Sequence, residues 1–174
     1  KVILERHVDI DGQDDAGVLE YAWLNSHYQT GLKNLLDIAV LEAADADTCQ
    51  RLQGEYTLVD EVPFDFTRRR MSVIVRDRGG RHFLIAKGAV AEMLGICSSL
   101  HHAQRGDTPM TADAASRARD VARDLNDDGF RVIALGMRAV DLRSAWSVAD
   151  ESELVLMGFI AFLDPPKESA AVAI

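Results

Sequence analysis

The sequence predicts an α+β fold in which helices flank an antiparallel β-sheet. Segments of helical and of strand character occur in mixed groups and do not alternate strictly, which argues against a parallel βαβ arrangement. Asp77-Arg78-Gly79-Gly80 is a strong turn signal between two apolar runs and is typical of an antiparallel hairpin. The 174 residues are 48% hydrophobic and 27% charged, which is the balance of one globular domain.

The first part of the chain predicts a helical hairpin. Apolar residues recur at helical spacing over residues 18–24 and again over residues 32–40. Gly31 and polar residues separate the two runs, so we expect a short connection there.

The middle of the chain predicts strands followed by a short helix. Residues 56–62, 71–76 and 82–86 have the length and the apolar, β-branched character of strands. Residues 89–96 return to helical spacing. The polar segment 98–109 is predicted to be a loop.

The last part of the chain predicts a longer helix and a return to the sheet. The helix covers about residues 111–127, and Gly129 closes it. Residues 131–138 and 154–162 are apolar and β-rich. Asp164-Pro165-Pro166-Lys167 follows, and the double proline is expected to end the domain.

Composition excludes several classes of function. The net charge of −9 argues against nucleic acid as the main partner, because that binding depends on Lys and Arg neutralising phosphates. The longest apolar stretches, such as 154–163, are too short to cross a bilayer. The chain begins at Lys1 without a secretory signal pattern, so we expect a fragment of a larger protein. Its two cysteines lack CxxC spacing, which favours a reduced setting, and its five scattered histidines predict no metal site.

One motif combines aromatic and cationic side chains. Within residues 62–73, Phe64 and Phe66 precede Arg68-Arg69-Arg70 at the start of a predicted strand. A flat ring can stack on a nucleobase, and guanidinium groups suit phosphate oxygens. On composition alone, a core phenylalanine beside a solvated run of charge is the more common explanation, because core aromatics and surface arginines are frequent.

A second motif lies at the end of the strand 82–86. Lys87 follows this strand directly, and Gly88 opens the next predicted helix. Unpaired N–H groups and the helix dipole make such a helix start favourable for an anion. Taken alone, Lys87 is also compatible with a surface lysine at an ordinary turn.

The two motifs, in this order and at this spacing, resemble the nucleotide-binding domain of the P-type ATPases. The resemblance implies that Phe64 stacks on the adenine of ATP and that Lys87 lines the pocket. It also implies that Arg69, and Arg131 in the Gly-Phe-Arg-Val-Ile-Ala-Leu segment, carry positive charge to the phosphates. The expected ligand is ATP, bound as Mg-ATP.

Within the family, residues 25–34 and 64–70 are most similar to the bacterial magnesium-transporting members. Many cation pumps of the family place a glutamate that contacts the adenine amino group near the point where this sequence has Lys33 and Asn34. The Ser-Glu-His-Pro motif of the heavy-metal pumps is absent, which counts against a copper or zinc exporter.

The resemblance also implies how the chain fits into a larger protein. Residues 1–174 are expected to form a single cytosolic nucleotide-binding domain, with 1–10 and 163–174 as hinge segments toward a phosphorylation domain. The expected partners are the phosphorylation and actuator domains of the same parent chain, which reaches the inner membrane through other segments. The parent is expected to be a magnesium importer that hydrolyses ATP.

The sequence also lacks the catalytic motifs of that family. No Asp-Lys-Thr-Gly-Thr-Leu-Thr string occurs, so the aspartate that accepts the phosphoryl group is expected to lie before Lys1. The Thr-Gly-Asp and Gly-Asp-Gly motifs that bind magnesium are absent as well. Without an acceptor and a metal clamp, the isolated chain is predicted to bind ATP without hydrolysing it.

Two alternatives stay open at this point. Asp9-Ile10-Asp11-Gly12 is similar to the nucleophile loop of haloacid-dehalogenase-like phosphatases, although that loop should follow an apolar strand and here follows Glu5-Arg6-His7. The other alternative is an interaction module that has the same fold but binds no nucleotide.

Overall fold

The computed structural model describes residues 1–164, which build one eight-stranded sheet with helices packed on both faces. The strands are β1 (Ile3–Val8), β2 (Tyr56–Asp65), β3 (Arg70–Asp77), β4 (His82–Gly88), β5 (Cys97–His102), β6 (Gly106–Pro109), β7 (Arg131–Val140) and β8 (Leu154–Leu163). The helices are α1 (Ala16–Tyr28), α2 (Leu35–Ala43), α3 (Ala46–Glu55), α4 (Val90–Leu94) and α5 (Ala112–Asp127), and a 3₁₀ turn covers Val148–Asp150. Among these helices, none is long and apolar enough to span a membrane.

The sheet is antiparallel except at one pair of strands. Its order is β2-β3-β4-β7-β8-β5-β6, and β1 also pairs with β8. β8 runs antiparallel to β1 over residues 159–163 and parallel to β5 over residues 154–156. The predicted α+β fold, an antiparallel sheet flanked by helices, is confirmed, and the β5–β8 pair is a parallel addition to it.

Two hydrophobic clusters lie on opposite faces of the sheet. On one face, side chains of α1, α2 and α3 such as Trp23, Val40 and Leu52 pack against the sheet. On the other face, Met93 of α4 and the alanine stripe of α5 pack against it. Side chains alternate across a strand, so β3 contributes Val73 to the first cluster and Ile74 to the second.

The predicted helical hairpin is confirmed as α1 and α2, and the long helix as α5. Asn34 begins α2 with a capping box, in which its side chain accepts from the N–H of Asp37 at 2.9 Å. Thr111 caps α5 in the same way through the N–H of Ala114. Gly129 has φ +96 beyond the end of α5, a backbone conformation that glycine adopts without steric cost.

The prediction of a loop over residues 98–109 is wrong, because this segment forms the β5–β6 hairpin. On β5, the side chains of Leu100 and His102 are buried, whereas Ser98 near the start of the strand is exposed. The buried His102 ring is satisfied by Thr108 Oγ1 at 2.9 Å and Asp11 Oδ2 at 3.0 Å. Inward-facing polar residues hid the alternation that identifies a strand.

Two further elements were not predicted. β1 contains Glu5-Arg6-His7, yet it pairs with β8 over most of its length. α3 is capped by Asp45, whose Oδ1 accepts from the N–H of Thr48 at 2.7 Å, but buries only Leu52. Both have weak apolar patterns because one side of each meets solvent.

The hinge role of residues 1–10 and 163–174 stays a prediction, and the double proline lies outside the described residues.

Both cysteines are free thiols. Cys97 is buried on β5, and this burial raises the pKa of its thiol to about 12. Because the thiolate is the reactive form, Cys97 is inert near neutral pH.

Candidate functional site

A pocket of about 380 Å³ opens between the α1–α2 connection and the sheet. At this edge β3 and β7 begin and β4 and β8 end, as their antiparallel pairing requires. The volume falls in the range of small-molecule sites, roughly 300–1,000 Å³. The pocket is lined by Gln29, Leu32, Asn34, Leu36, Asp37, Phe64, Arg69, Met71, Lys87, Gly88, Ala89, Ile133, Ile160 and Phe162.

Phe64 is an exposed aromatic side chain at the mouth of this pocket. It exposes 53% of its surface, and Phe66 packs edge-on against its ring with the centroids 5.3 Å apart. Asp65 between them organises the β2–β3 turn, because its Oδ1 accepts from the N–H of Thr67 at 2.7 Å and of Arg68 at 3.3 Å. These hydrogen bonds lower the pKa of Asp65, so the turn is held by an ionised carboxylate at neutral pH.

Arg69 closes the same turn and faces the pocket. Its backbone has φ +55, and its N–H donates to the carbonyl of Asp65 at 2.7 Å. The carbonyl of Arg69 accepts from the N–H of Ala89 at 3.2 Å, which fixes the turn against the end of β4. Its guanidinium is largely exposed, with Glu92 Oε1 3.9 Å away. The group is therefore available to an anion at the pocket mouth.

Gly88 allows the two motifs to approach each other. A Cβ at this position would lie 2.6 Å from Arg70 Cβ and 2.7 Å from the carbonyl oxygen of Arg69. Those distances are too short for any larger residue unless the backbone moves. The Lys-Gly-Ala motif thus meets the arginine turn through a position that only glycine fits.

Lys87 lines the pocket, and its ammonium group is held by internal partners. It forms an ion pair with Asp37 and donates to Ser26 Oγ at 2.8 Å. Burial lowers the pKa of Lys87, and the Asp37 carboxylate opposes this by favouring the charged form. Lys87 is thereby positioned before any ligand arrives.

Asp37 is a pocket residue that sequence reasoning missed. Its Oδ1 accepts from Ser26 Oγ at 2.9 Å, and its Oδ2 lies 3.3 Å from both the N–H of Asn34 and Gln29 Nε2. The only signal in the sequence was its place three residues after the N-cap Asn34, which predicts a capping box but not an ion pair.

Lys33 and Asn34 have structural roles in the α1–α2 connection. Lys33 Nζ donates to the carbonyls of Ser26 and Gln29 at 2.9 and 3.1 Å, so it satisfies the C-terminal end of α1. Asn34 caps α2 and also lines the pocket. At this position the pocket therefore presents the side chains of Gln29 and Asn34.

Arg131 does not line the pocket. It lies opposite Phe162 in the β7–β8 pair, two residues before the pocket residue Ile133 on the same side of β7. Its guanidinium pairs with Asp164 at 2.9 Å. The structure thus brings Phe64, Arg69 and Lys87 around one cavity, whereas Arg131 lies next to the lining residue Phe162 but does not itself line the cavity.

The Asp9-Ile10-Asp11-Gly12 segment forms a self-contained turn after β1. Asp9 is 2% exposed, and its Oδ1 accepts from the N–H of Asp11 and of Gln13, both at 2.9 Å. Neither aspartate lines the pocket described above. The strand β1 precedes this turn, but with Glu5-Arg6-His7 in it β1 is not the apolar strand that a phosphatase nucleophile loop should follow. Within residues 1–164, no group of three or more His, Cys, Asp and Glu side chains is arranged to hold a metal ion.

The chain is similar to one cytoplasmic domain of a known protein family. A family model described as the P-type ATPase cytoplasmic domain N matches residues 25–169. The chain is 47% identical over 176 aligned residues to a protein named "Magnesium-transporting ATPase, P-type 1" in Salmonella typhimurium and to its namesake in Escherichia coli K12. These alignments cover 100% of this chain and 19% of each relative.

A more distant relative carries a different cation in its name. A sodium/potassium exporting P-type ATPase of Schizosaccharomyces pombe is 31% identical over 124 residues, which is 68% of this chain and 11% of that protein. The chain thus spans about a fifth of the length of its magnesium-transporting relatives.

Proposed function

Because this chain belongs to the P-type ATPases, as their cytoplasmic domain N, we propose that it binds ATP and presents the γ-phosphate to the phosphorylation domain of its parent protein. The main support for this proposal is that Phe64, Arg69 and Lys87 surround one pocket although they are up to 23 positions apart in the sequence.

The chemistry of the pocket fits ATP. An exposed ring on Phe64 and the apolar side chains of Leu32 and Ile133 offer a slot for a flat base, and base–aromatic stacking is worth about 1–3 kcal/mol. Arg69 lies at the mouth, where a guanidinium fork suits phosphate oxygens. In this arrangement the base enters the pocket and the phosphates extend past Arg69 toward solvent. Arg131 acts on the phosphates only if the ligand extends past the residues that line the pocket.

Catalysis is then divided between domains. The 174 residues contain no Asp-Lys-Thr-Gly string to accept a phosphoryl group, and Mg²⁺ bound with ATP supplies charge neutralisation at the phosphates. The acceptor aspartate comes from the phosphorylation domain of the same parent chain, with the actuator domain as a further partner. By likeness to relatives named as magnesium-transporting, the parent moves magnesium across the inner membrane.

The proposal is tested by two measurements on the chain. Calorimetric titration with Mg-ATP should give saturable binding, and a phosphate-release assay on the same sample should stay at background. Absence of binding would favour an interaction module of the same fold. Turnover that persists through further purification would favour the phosphatase alternative.

A further inference from the structure

A buried carboxylate lies behind the arginine turn. Glu151 follows the 3₁₀ turn Val148–Asp150, and its side chain has no exposed surface. Its Oε1 accepts from Arg68 Nε at 2.9 Å and from Arg70 Nε at 3.2 Å, and its Oε2 accepts from Ser72 Oγ. One carboxylate therefore binds both outer members of the three consecutive arginines.

These contacts separate the three arginines by role. The side chains of Arg68 and Arg70 are only 11% and 14% exposed, whereas that of Arg69 is 63% exposed. Arg68 also donates through Nη2 to the carbonyls of Pro63 at 2.8 Å and Arg70 at 3.1 Å, across the base of the turn. Only the middle guanidinium is left facing the pocket.

Electrostatics makes this separation depend on Glu151. Three adjacent guanidinium groups repel one another, and two of them are largely removed from water. A buried cation needs an opposite charge and hydrogen bonds nearby, which Glu151 supplies to both. Without it, Arg70 would lose its carboxylate partner and Arg68 would keep only Asp65, 3.4 Å away, so the turn that carries Arg69 at φ +55 would be held less firmly.

We propose that Glu151 is a positioning residue of the nucleotide site: by holding Arg68 and Arg70 behind the β2–β3 turn, it directs Arg69 to the phosphates of the ligand. This inference rests on the proposed ATP site. Glu151 touches no ligand itself, and its effect is confined to the phosphate end of the nucleotide.

The test compares ligands with and without phosphates. Glu151→Gln keeps the size of the side chain but removes its charge, and it should weaken Mg-ATP roughly tenfold while changing the affinity for adenosine less than about twofold. Asp150→Asn is the matched control, because Asp150 is adjacent and also buried but pairs with Arg143 and not with the arginine turn. It should leave both affinities unchanged.

A double-mutant cycle distinguishes positioning from general stabilisation. If Glu151 acts through Arg69, Glu151→Gln should cause no further loss of ATP affinity in an Arg69→Gln background. Losses that simply multiply, or an equal loss for adenosine and ATP, would overturn the inference and leave Glu151 as a stabilising residue.

A second variant applies if Glu151→Gln does not fold. Arg68→Lys keeps the charge but cannot contact Glu151, Pro63 and Arg70 at once, since lysine lacks the planar fork. It should weaken ATP several-fold and spare adenosine, and unchanged ATP affinity would overturn the inference. A wild-type chain that binds no ATP would instead overturn the proposed function together with this role.

Discussion

Phe64 is a large apolar side chain that the fold leaves half exposed, so its role can be tested without disturbing the core. If its ring stacks on adenine, Phe64→Ala should weaken ATP binding by roughly 1–3 kcal/mol, measured by calorimetry, with little change in the free energy of unfolding. Phe66→Ala is the matched control, because Phe66 touches the Phe64 ring but does not line the pocket. Equal losses for the two variants would contradict stacking on Phe64.

The ion pair between Lys87 and Asp37 is expected to contribute to the stability of the fold. Lys87→Met removes the ion-pair partner of Asp37, a buried residue with 4% of its surface exposed. Because this leaves a buried carboxylate unpaired, the free energy of unfolding, measured by urea denaturation, should fall by about 3–5 kcal/mol. Asp37→Asn added to Lys87→Met should recover most of that loss, because the buried charge is gone.

The double variant also separates stability from ligand contact. ATP binding by Lys87→Met/Asp37→Asn reports the contribution of the Lys87–Asp37 pair, both members of which line the pocket, in a stable protein. If the double variant is as unstable as Lys87→Met alone, Lys87 stabilises the fold by something other than its ion pair with Asp37.

At the scale of elements, the junction of β3 and β4 joins the two sequence motifs. Gly88→Ala places a Cβ against Arg70 Cβ and the carbonyl of Arg69, so it should destabilise the fold by about 1–3 kcal/mol and weaken ATP binding by displacing the arginine turn. Gly95→Ala serves as control, because its Cβ would have ordinary contacts, the closest at 3.4 Å. Thermal unfolding and calorimetry measure both effects, and a fully stable Gly88→Ala variant would refute the close approach.

Elements with a strong local pattern could be predicted from the sequence. The pair β3–β4 was accessible because Asp77-Arg78-Gly79-Gly80 separates two apolar runs, and α2 because its apolar residues keep helical spacing. The hairpin β5–β6 and strand β1 could not be predicted, because their polar residues find hydrogen-bond partners in distant parts of the chain. His102, for example, is hydrogen-bonded to Asp11.

The residues of the candidate site likewise fall into those that could be predicted from the sequence and those that could not. Phe64, Arg69 and Lys87 could be named because they lie in contiguous motifs. Asp37 and Glu151 could not, because they contact residues 50 and up to 83 positions away, and only the folded sheet brings these together. Arg131 shows the converse, since its motif gave no information about how far the pocket extends along β7, and the residue does not line the pocket.

At the scale of the whole molecule, we propose that this chain binds nucleotide and that other parts of a longer protein carry out phosphoryl transfer. Its magnesium-transporting relatives are about five times as long, and the chain aligns with them over its full length. We therefore propose that the pocket beneath Phe64 holds ATP.

Amide chemical shifts recorded residue by residue during an Mg-ATP titration test this claim most directly. We expect saturable shifts that cluster at Phe64, Arg69, Lys87 and Gly88 and are absent from the remote Asp77–Gly80 turn. Shifts that fail to saturate, or that cluster around Asp9 and Asp11 and leave the pocket unchanged, would contradict it.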